Sequence, residues 1–298
     1  MTDTQVRLPQ DVDLDNTDPT TRRRARPSLL NIVLFIIMCF WGLLTFGPLL
    51  WMLANSLRSS EQIVTQPIGP PDLSKITNYA EAWEQADLGT SLVNSLIVSV
   101  GAVILSGLCA LLIGFALSRG GLPFSNVLLT FFMVGLLIPA LSSLLPLLLQ
   151  LQASGLTSTR TGLIIAYAGG QLSLGVFLFK IAFDAIPKEY IEAALLDGAG
   201  VPRILWSIMM PMVRPTIATF AILAFIAVYN DFVFTLVLNN DPALYTLPVS
   251  LLQFSSVYGT RYDLIFASVA IATIPPLIGY ILLRKQVQSS MAAGGRTG

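Results

Sequence analysis

The chain has 298 residues, of which 54% are apolar and only 11% are charged, and its mean hydropathy is +0.73. A soluble domain carries roughly 25% charged residues, so this composition excludes an ordinary soluble protein and indicates a membrane protein. The formal net charge is zero, which gives no indication of nucleic-acid binding. Histidine is absent and both cysteines lie in apolar stretches, so we expect neither a metal site nor a disulfide.

The chain begins with a polar segment, residues 1–27, which is expected to form a disordered cytoplasmic tail. A transmembrane domain is predicted over 28–284, and a cytoplasmic C-terminal tail over 285–298. Each apolar stretch can hold the roughly 20 residues that a membrane-spanning helix needs. The predicted fold is therefore all-α, a polytopic membrane protein with six transmembrane helices at about 29–54, 92–118, 124–150, 162–183, 215–238 and 264–283.

The segments between and within these spans carry further local signals. The loop from Ser56 to Thr90 contains three prolines and is expected to be an extended external segment. Span two is rich in Gly, Ala and Ser, which favours contact with other helices rather than lipid. Pro139 and Pro146 are expected to kink or end span three near its outer side.

The distribution of basic residues predicts the orientation. If the N-terminus is cytoplasmic, thirteen Lys and Arg residues lie on the inner side and four on the outer side. Cytoplasmic loops carry such an excess of basic residues, so both termini are predicted inside.

Residues 187–198 form a predicted cytoplasmic helix, because proline suits a first helical turn and Gly198 suits a helix end. Its projection places Tyr190, Ile191, Ala194 and Leu195 on one face, opposite the charged residues. One interpretation is a helix lying on lipid headgroups. Its polar face contains acids rather than many basic residues, which favours docking into a groove of another protein.

The segment continues into a recognisable pattern: Glu192-Ala193-Ala194, three residues, Gly198, nine residues, Ile208, one residue, Met210 and Pro211. It resembles the EAA signature of ABC-importer permeases, with methionine at a position that is usually leucine. Residues from about 30 onward are similar to the maltose-type permeases of carbohydrate importers. The resemblance implies that this helix couples the chain to an ATPase through Glu192, Ala193, Ala194, Leu195, Asp197, Gly198 and Pro211.

The same resemblance implies a type I ABC-importer permease fold in a bacterial cell membrane. It also implies a heterodimer with a homologous second permease, two ATP-binding subunits, an extracytoplasmic solute-binding protein and a sugar or polyol substrate. This chain contains no G-x-x-x-x-G-K-[ST] motif, so ATP must be bound and hydrolysed by a partner. We therefore expect a chain that binds no cofactor and is not an enzyme.

Asp231 is the one ionisable residue placed inside a predicted span, and acids at that depth usually face a bundle interior or a cavity. We expect substrate contacts from Tyr229, Asn230 and Asp231, with Gln171 as a further polar group in span four. Alternatively, Asp231 pairs structurally with another helix. Two other functions stay open: an ion-coupled secondary transporter that uses Asp231, and a scaffold for membrane partners.

Overall fold

A computed structural model describes residues 29–119, 121–256, 259–282 and 284. The predicted tails 1–27 and 285–298 lie outside these residues. The chain forms two compact units, one ending at Leu50 and the other beginning at Trp51. The second unit contains both candidate sites.

Helices account for nearly all of the regular structure in the described residues. They are α1 (Leu29–Asn55), α2 (Ser60–Thr65), α3 (Thr77–Gln85), α4 (Leu88–Arg119), α5 (Ser125–Leu137), α6 (Leu144–Ala153), α7 (Arg160–Asp184), α8 (Lys188–Leu196), α9 (Val201–Arg203), α10 (Met210–Met212), α11 (Arg214–Tyr229), α12 (Val233–Leu238), α13 (Leu247–Ser250) and α14 (Tyr262–Ala272). Short 3-10 turns occupy Leu73–Ile76, Ala140–Ser143, Pro242–Leu244 and Leu251–Phe254. Strand β1 (Ser255–Ser256) pairs antiparallel with β2 (Gly259–Thr260).

Within the described residues, four helical segments are long and apolar enough to cross a membrane. They are α1, α4, α7 and the segment Tyr262–Leu282, which includes α14. The number rises to six if each of two bent helix pairs is one span. Those pairs are Ser125–Leu137 with Ala140–Ala153, bent by 100°, and Val201–Met212 with Arg214–Tyr229, bent by 74°.

The structure divides two of the predicted spans. The predicted span 124–150 breaks after Leu137, because Ile138 takes the extended conformation that the residue before Pro139 prefers. Pro146 does not break a helix, since it lies in the first turn of α6, where proline is tolerated. The predicted span 215–238 is interrupted between α11 and α12.

Helices α4 and α7 pack closely through small residues. A Cβ atom at Gly175 would lie 2.6 Å from the Ala110 Cβ, and one at Gly114 would lie 2.9 Å from the Phe179 Cβ. These distances are shorter than side-chain packing allows, so only glycine permits the helices to approach this far. Small residues at helix interfaces are a general device of membrane proteins. The expectation that span two faces other helices agrees with this arrangement.

The segment after Ser56 is not extended as expected, because it folds into α2, a 3-10 turn and α3; its external location stays a prediction. Ser59 and Gln62 form a capping box that starts α2. Arg58 is only 3% exposed and donates hydrogen bonds to the carbonyl oxygens of Gln62 and Gln66, at 3.1 and 2.7 Å. These bonds compensate for burial of the guanidinium group and hold the segment compact.

Two clusters of polar side chains connect segments of the second unit that are far apart in sequence. Asn94 of α4 accepts hydrogen bonds from Arg160 Nε and Nη2 at 3.0 and 2.9 Å, and its amide nitrogen donates to Ala243 O at 2.9 Å. Arg261 donates to Asp263 at 3.0 Å and lies 3.0 Å from Glu81. The hydrogen bond to Asp263 is the main reason that the pKa of Arg261 is raised.

Candidate functional site

Helix α8 has sharp ends. Pro187 precedes its first residue, and Gly198 follows its end with φ of +74°, a conformation that glycine adopts without steric cost. Ala199 N donates to Ala194 O at 2.9 Å, and Gly198 N donates to Leu195 O at 3.0 Å. This pair of bonds is a Schellman motif, which satisfies the last carbonyl groups of the helix. Local chemistry therefore ends α8 at Leu196, two residues before the predicted boundary.

One side of α8 packs on its own chain. Ala194 is 6% exposed and joins a buried cluster with Phe183, Ile204 and Met209, while Ile191 is half-buried against it. The predicted apolar face is therefore divided, because Tyr190 and Leu195 point away from this cluster and are exposed. Close approach by another protein through Ala194 is excluded, since that side chain already contacts the core.

The opposite side of α8, here called the α8 surface, is exposed. Leu195 is 55% exposed and Leu196 is 90% exposed, which is a high value for leucine at the end of a helix. The α8 surface consists of Glu189, Tyr190, Glu192, Ala193, Leu195 and Leu196, followed by Asp197 and Gly198. Apolar and acidic groups thus lie side by side on a surface that nothing in the described chain covers.

Arg119, the last residue of α4, connects the membrane helices to the start of α8. Its Nη2 atom donates hydrogen bonds to the carbonyl oxygens of Phe183, at 2.6 Å, and of Ile186. Ser118 donates to Asp184 at 2.6 Å, and Lys180 forms an ion pair with the same carboxylate. A cation at the C-terminus of α7 also interacts favourably with the helix dipole. Sequence reasoning assigned Arg119 only to the basic inner side and missed this contact.

The second half of the EAA-like pattern lies in the segment that follows. Ile204–Met209 forms a π-helical stretch, and Met209 is fully buried in the cluster that receives α8. Pro211 is exposed in α10, just before the 74° bend that leads into α11. Such π-helical stretches are rare in proteins, and those that occur are often found at functional sites.

The second unit also contains a cavity of about 730 Å³, here called the Asp231 cavity. Its walls come from helices α5, α6, α7, α11 and α12, from the 3-10 turn Ala140–Ser143 and from the break between α11 and α12. Its polar lining consists of Ser143, Gln150, Tyr167, Gln171, Ser173 and Asp231. This volume lies within the range of roughly 300–1,000 Å³ that is usual for small-molecule sites.

Asp231 lies in the break after α11. Its Oδ1 atom accepts hydrogen bonds from Tyr167 Oη at 2.8 Å and from the backbone N–H of Phe234 at 2.9 Å. The second bond satisfies a backbone donor at the start of α12, so the carboxylate helps to create the interruption. Tyr167 Oη also lies 2.8 Å from Thr235 Oγ1.

The structure separates the four residues that were predicted along the substrate pathway. Asp231 and Gln171 line the Asp231 cavity, whereas Tyr229 and Asn230 do not. Tyr229 is 2% exposed, stacks on Phe225 and donates its hydroxyl to Ala272 O at 3.2 Å. A substrate contact by Tyr229 therefore conflicts with its packing against α14.

Sequence reasoning missed four polar residues that line this cavity, namely Ser143, Gln150, Tyr167 and Ser173. A tyrosine within the glycine-rich stretch of α7 was a usable signal for a polar site. The other three could be assigned only after helix packing had brought α6 and α7 together.

The sequence of this chain is similar to those of known membrane transport proteins. Residues 102–292 match a family model described as "binding-protein-dependent transport system inner membrane component". The chain is 33% identical over 260 residues to the diacetylchitobiose uptake system permease protein NgcG of Streptomyces coelicolor, covering 87% of this chain and 86% of that protein. It is 27% identical over 277 residues to the melibiose/raffinose/stachyose import permease protein MelC of Bacillus subtilis, covering 93% and 100%.

A solved structure has a similar fold. A bacterial ABC transporter involved in the import of the acidic polysaccharide alginate aligns with a TM-score of 0.76 at 20% identity, covering 86% of this chain and 95% of that chain.

Proposed function

The chain belongs to the family of inner membrane components of binding-protein-dependent transport systems, and from this premise we propose that it is a permease subunit of an ATP-driven importer for a carbohydrate or related polyol. Relatives named as permeases for diacetylchitobiose and for melibiose, raffinose and stachyose support the substrate class. A permease subunit of this kind is not an enzyme. It is a multi-pass membrane protein, and the excess of basic residues in one set of loops supports a cytoplasmic location for both termini in a bacterial cell.

The α8 surface carries the proposal that the chain couples to a separate ATPase. It exposes Leu195 and Leu196 on a short helix that is not one of the candidate membrane spans. The chain contains no phosphate-binding loop of its own, so the energy source is another polypeptide. Docking of α8 into a groove of that protein would bury these leucines, with Glu192 and Asp197 available for basic groups of the partner.

The core side of α8 supports transmission of movement. Because Ala194 and Ile191 pack into the same buried cluster as residues of the membrane helices, a displacement of α8 by an ATPase would move those helices with it. Gly198 permits the turn after α8, and Pro211 precedes the bend into α11. Among the EAA-like residues, Ala194 thus packs on the chain's own core. Glu192 and Asp197 instead face outward, where the ATPase is proposed to dock.

The Asp231 cavity is the proposed part of the substrate pathway in this chain. Asp231, Gln171 and the neighbouring amides and hydroxyls offer hydrogen bonds to sugar hydroxyl groups. A homologous second permease would complete the pathway, two ATP-binding subunits would supply energy, and an extracytoplasmic binding protein would deliver the sugar.

Uptake by reconstituted vesicles tests this function. Vesicles that contain this chain, its second permease and the ATPase should accumulate chito-, malto- or galacto-oligosaccharides only when both ATP and the binding protein are present. Vesicles with this chain alone should accumulate none, with or without a proton or sodium gradient. Gradient-driven uptake by the single chain would refute the proposal and favour the ion-coupled alternative.

Bulky substitutions on the α8 surface test the coupling role. Ala193→Trp places an indole on an exposed helical position and should abolish co-purification with the ATPase while leaving membrane insertion intact. Gly198→Trp should do the same, although the positive φ there also strains the turn. Glu84→Trp adds the same bulk to an exposed position on α3 and serves as the control. Normal co-purification of both α8 variants would contradict the docking role.

A further inference from the structure

Within the described part of the chain, the residues that line the Asp231 cavity carry one negative charge and no positive charge. Among the described residues that line it, Asp231 is the single acidic side chain and none is basic. The other polar groups are the two glutamines, two serines and Tyr167, which donate and accept hydrogen bonds without carrying charge. Sites that bind carboxylates or phosphates usually contain Arg or Lys.

The carboxylate of Asp231 also has one oxygen without a hydrogen bond from the described residues. Both hydrogen bonds to the side chain, from Tyr167 Oη and Phe234 N, end on Oδ1. Within the part of the chain that the structure describes, Oδ2 has no hydrogen bond and Asp231 forms no ion pair. An uncompensated carboxylate beside a largely apolar cavity repels a second anion, because the surrounding dielectric screens charges less than water does.

From this geometry we propose that Asp231 makes the pathway selective for neutral or cationic carbohydrates and excludes anionic ones. The inference rests on the proposed function, since it assigns a substrate class to the same cavity. The Oδ2 atom accepts a hydrogen bond from a hydroxyl or ammonium group of the sugar, whereas a sugar carboxylate at that position faces another negative charge. Gln171 and Tyr167 supply uncharged partners around it.

The test uses the complete importer in vesicles and compares two substrates. One is the neutral oligosaccharide with the fastest uptake, and the other is the aldonic acid made from it by oxidation of the reducing end. The measured quantity is the acid-to-neutral ratio of ATP-dependent uptake. Selection by the binding protein is common to all permease variants, so a change in this ratio between variants reports on the permease.

Asp231→Asn should raise the acid-to-neutral ratio by at least about tenfold, because the like-charge contact is removed. Uptake of the neutral sugar should fall by up to about tenfold, because the sugar loses a hydrogen bond to a charged acceptor. Asp241→Asn removes the same charge from an exposed residue outside the cavity and should leave the ratio unchanged. If Asp231→Asn does not insert, Gln171→Lys adds a cation to the same cavity and should raise the ratio instead.

An equal ratio in the wild type and in the inserted Asp231→Asn or Gln171→Lys protein would overturn the charge-selectivity proposal. If the wild-type complex shows no ATP-dependent uptake of neutral sugar, the proposed function is overturned, and this inference with it. The two failures are thus distinguished by the wild-type measurement on the neutral substrate.

Discussion

Removal of the Arg119 side chain should loosen the junction between α7 and α8. Its Nη2 atom donates to two carbonyl oxygens, those of Phe183 and Ile186, on either side of the chain turn that leads to α8. A hydrogen bond from a charged donor contributes about 1.5–3 kcal/mol. Because the contact is only partly buried, we take the lower end for each bond, which gives about 3 kcal/mol for the pair.

This magnitude converts directly into a change in the equilibrium constant for local opening. Since each 1.4 kcal/mol is a factor of ten, Arg119→Ala should raise the opening equilibrium at the junction on the order of 100-fold. Hydrogen exchange measures it at the amides of Ala185 and Ile186, which are bonded to Ile181 and Phe183 in the structure. If α8 docks on the ATPase, the same variant should transport less sugar for each ATP hydrolysed.

Two further variants make the measurement specific. Ser118→Ala removes only the neighbouring bond to Asp184 and should raise exchange by less than about tenfold. Arg119→Lys keeps the cation at the helix end but loses the guanidinium donors, so it should give an intermediate effect. Wild-type exchange rates at Ala185 and Ile186 in Arg119→Ala would refute the idea that this side chain holds α8 in place.

Two other predictions concern stability. Gly175→Ala forces a methyl group to 2.6 Å from a neighbouring Cβ atom and should destabilise the protein by about 1–3 kcal/mol in thermal unfolding, whereas Gly169→Ala, with no neighbour within 4 Å, should not. Equal midpoints for the two variants would contradict the close packing of α4 and α7. Asn94→Ala removes four hydrogen bonds and should cost about 2–4 kcal/mol, which limited proteolysis at residues 239–246 would detect as faster cleavage. Gln85→Ala, at an exposed position of α3, should leave that cleavage unchanged.

Several features of this protein could be predicted from sequence alone. The prediction of an all-α membrane protein of the ABC-importer permease family is confirmed by the family match and by the similar solved fold. These predictions rest on composition and on apolar runs of about 20 residues, so no single residue decides them. The ends of α8 could also be predicted to within two residues, because Pro187 and Gly198 act on the backbone within one helical turn.

Other features depended on tertiary structure. The sequence placed Ala194 and Leu195 on one face of α8, but packing against Met209 buries the first and leaves the second exposed. Asp231 was recognisable as unusual, yet its partner Tyr167 lies 64 residues away in the chain. Helix caps and apolar runs are decided by neighbours in sequence, whereas a contact across that distance exists only after α7 and α11 have packed together. The composition and local order of the chain therefore determined its class and its helices, and the packing of those helices decided which side chains meet in the cavity and which remain on the α8 surface.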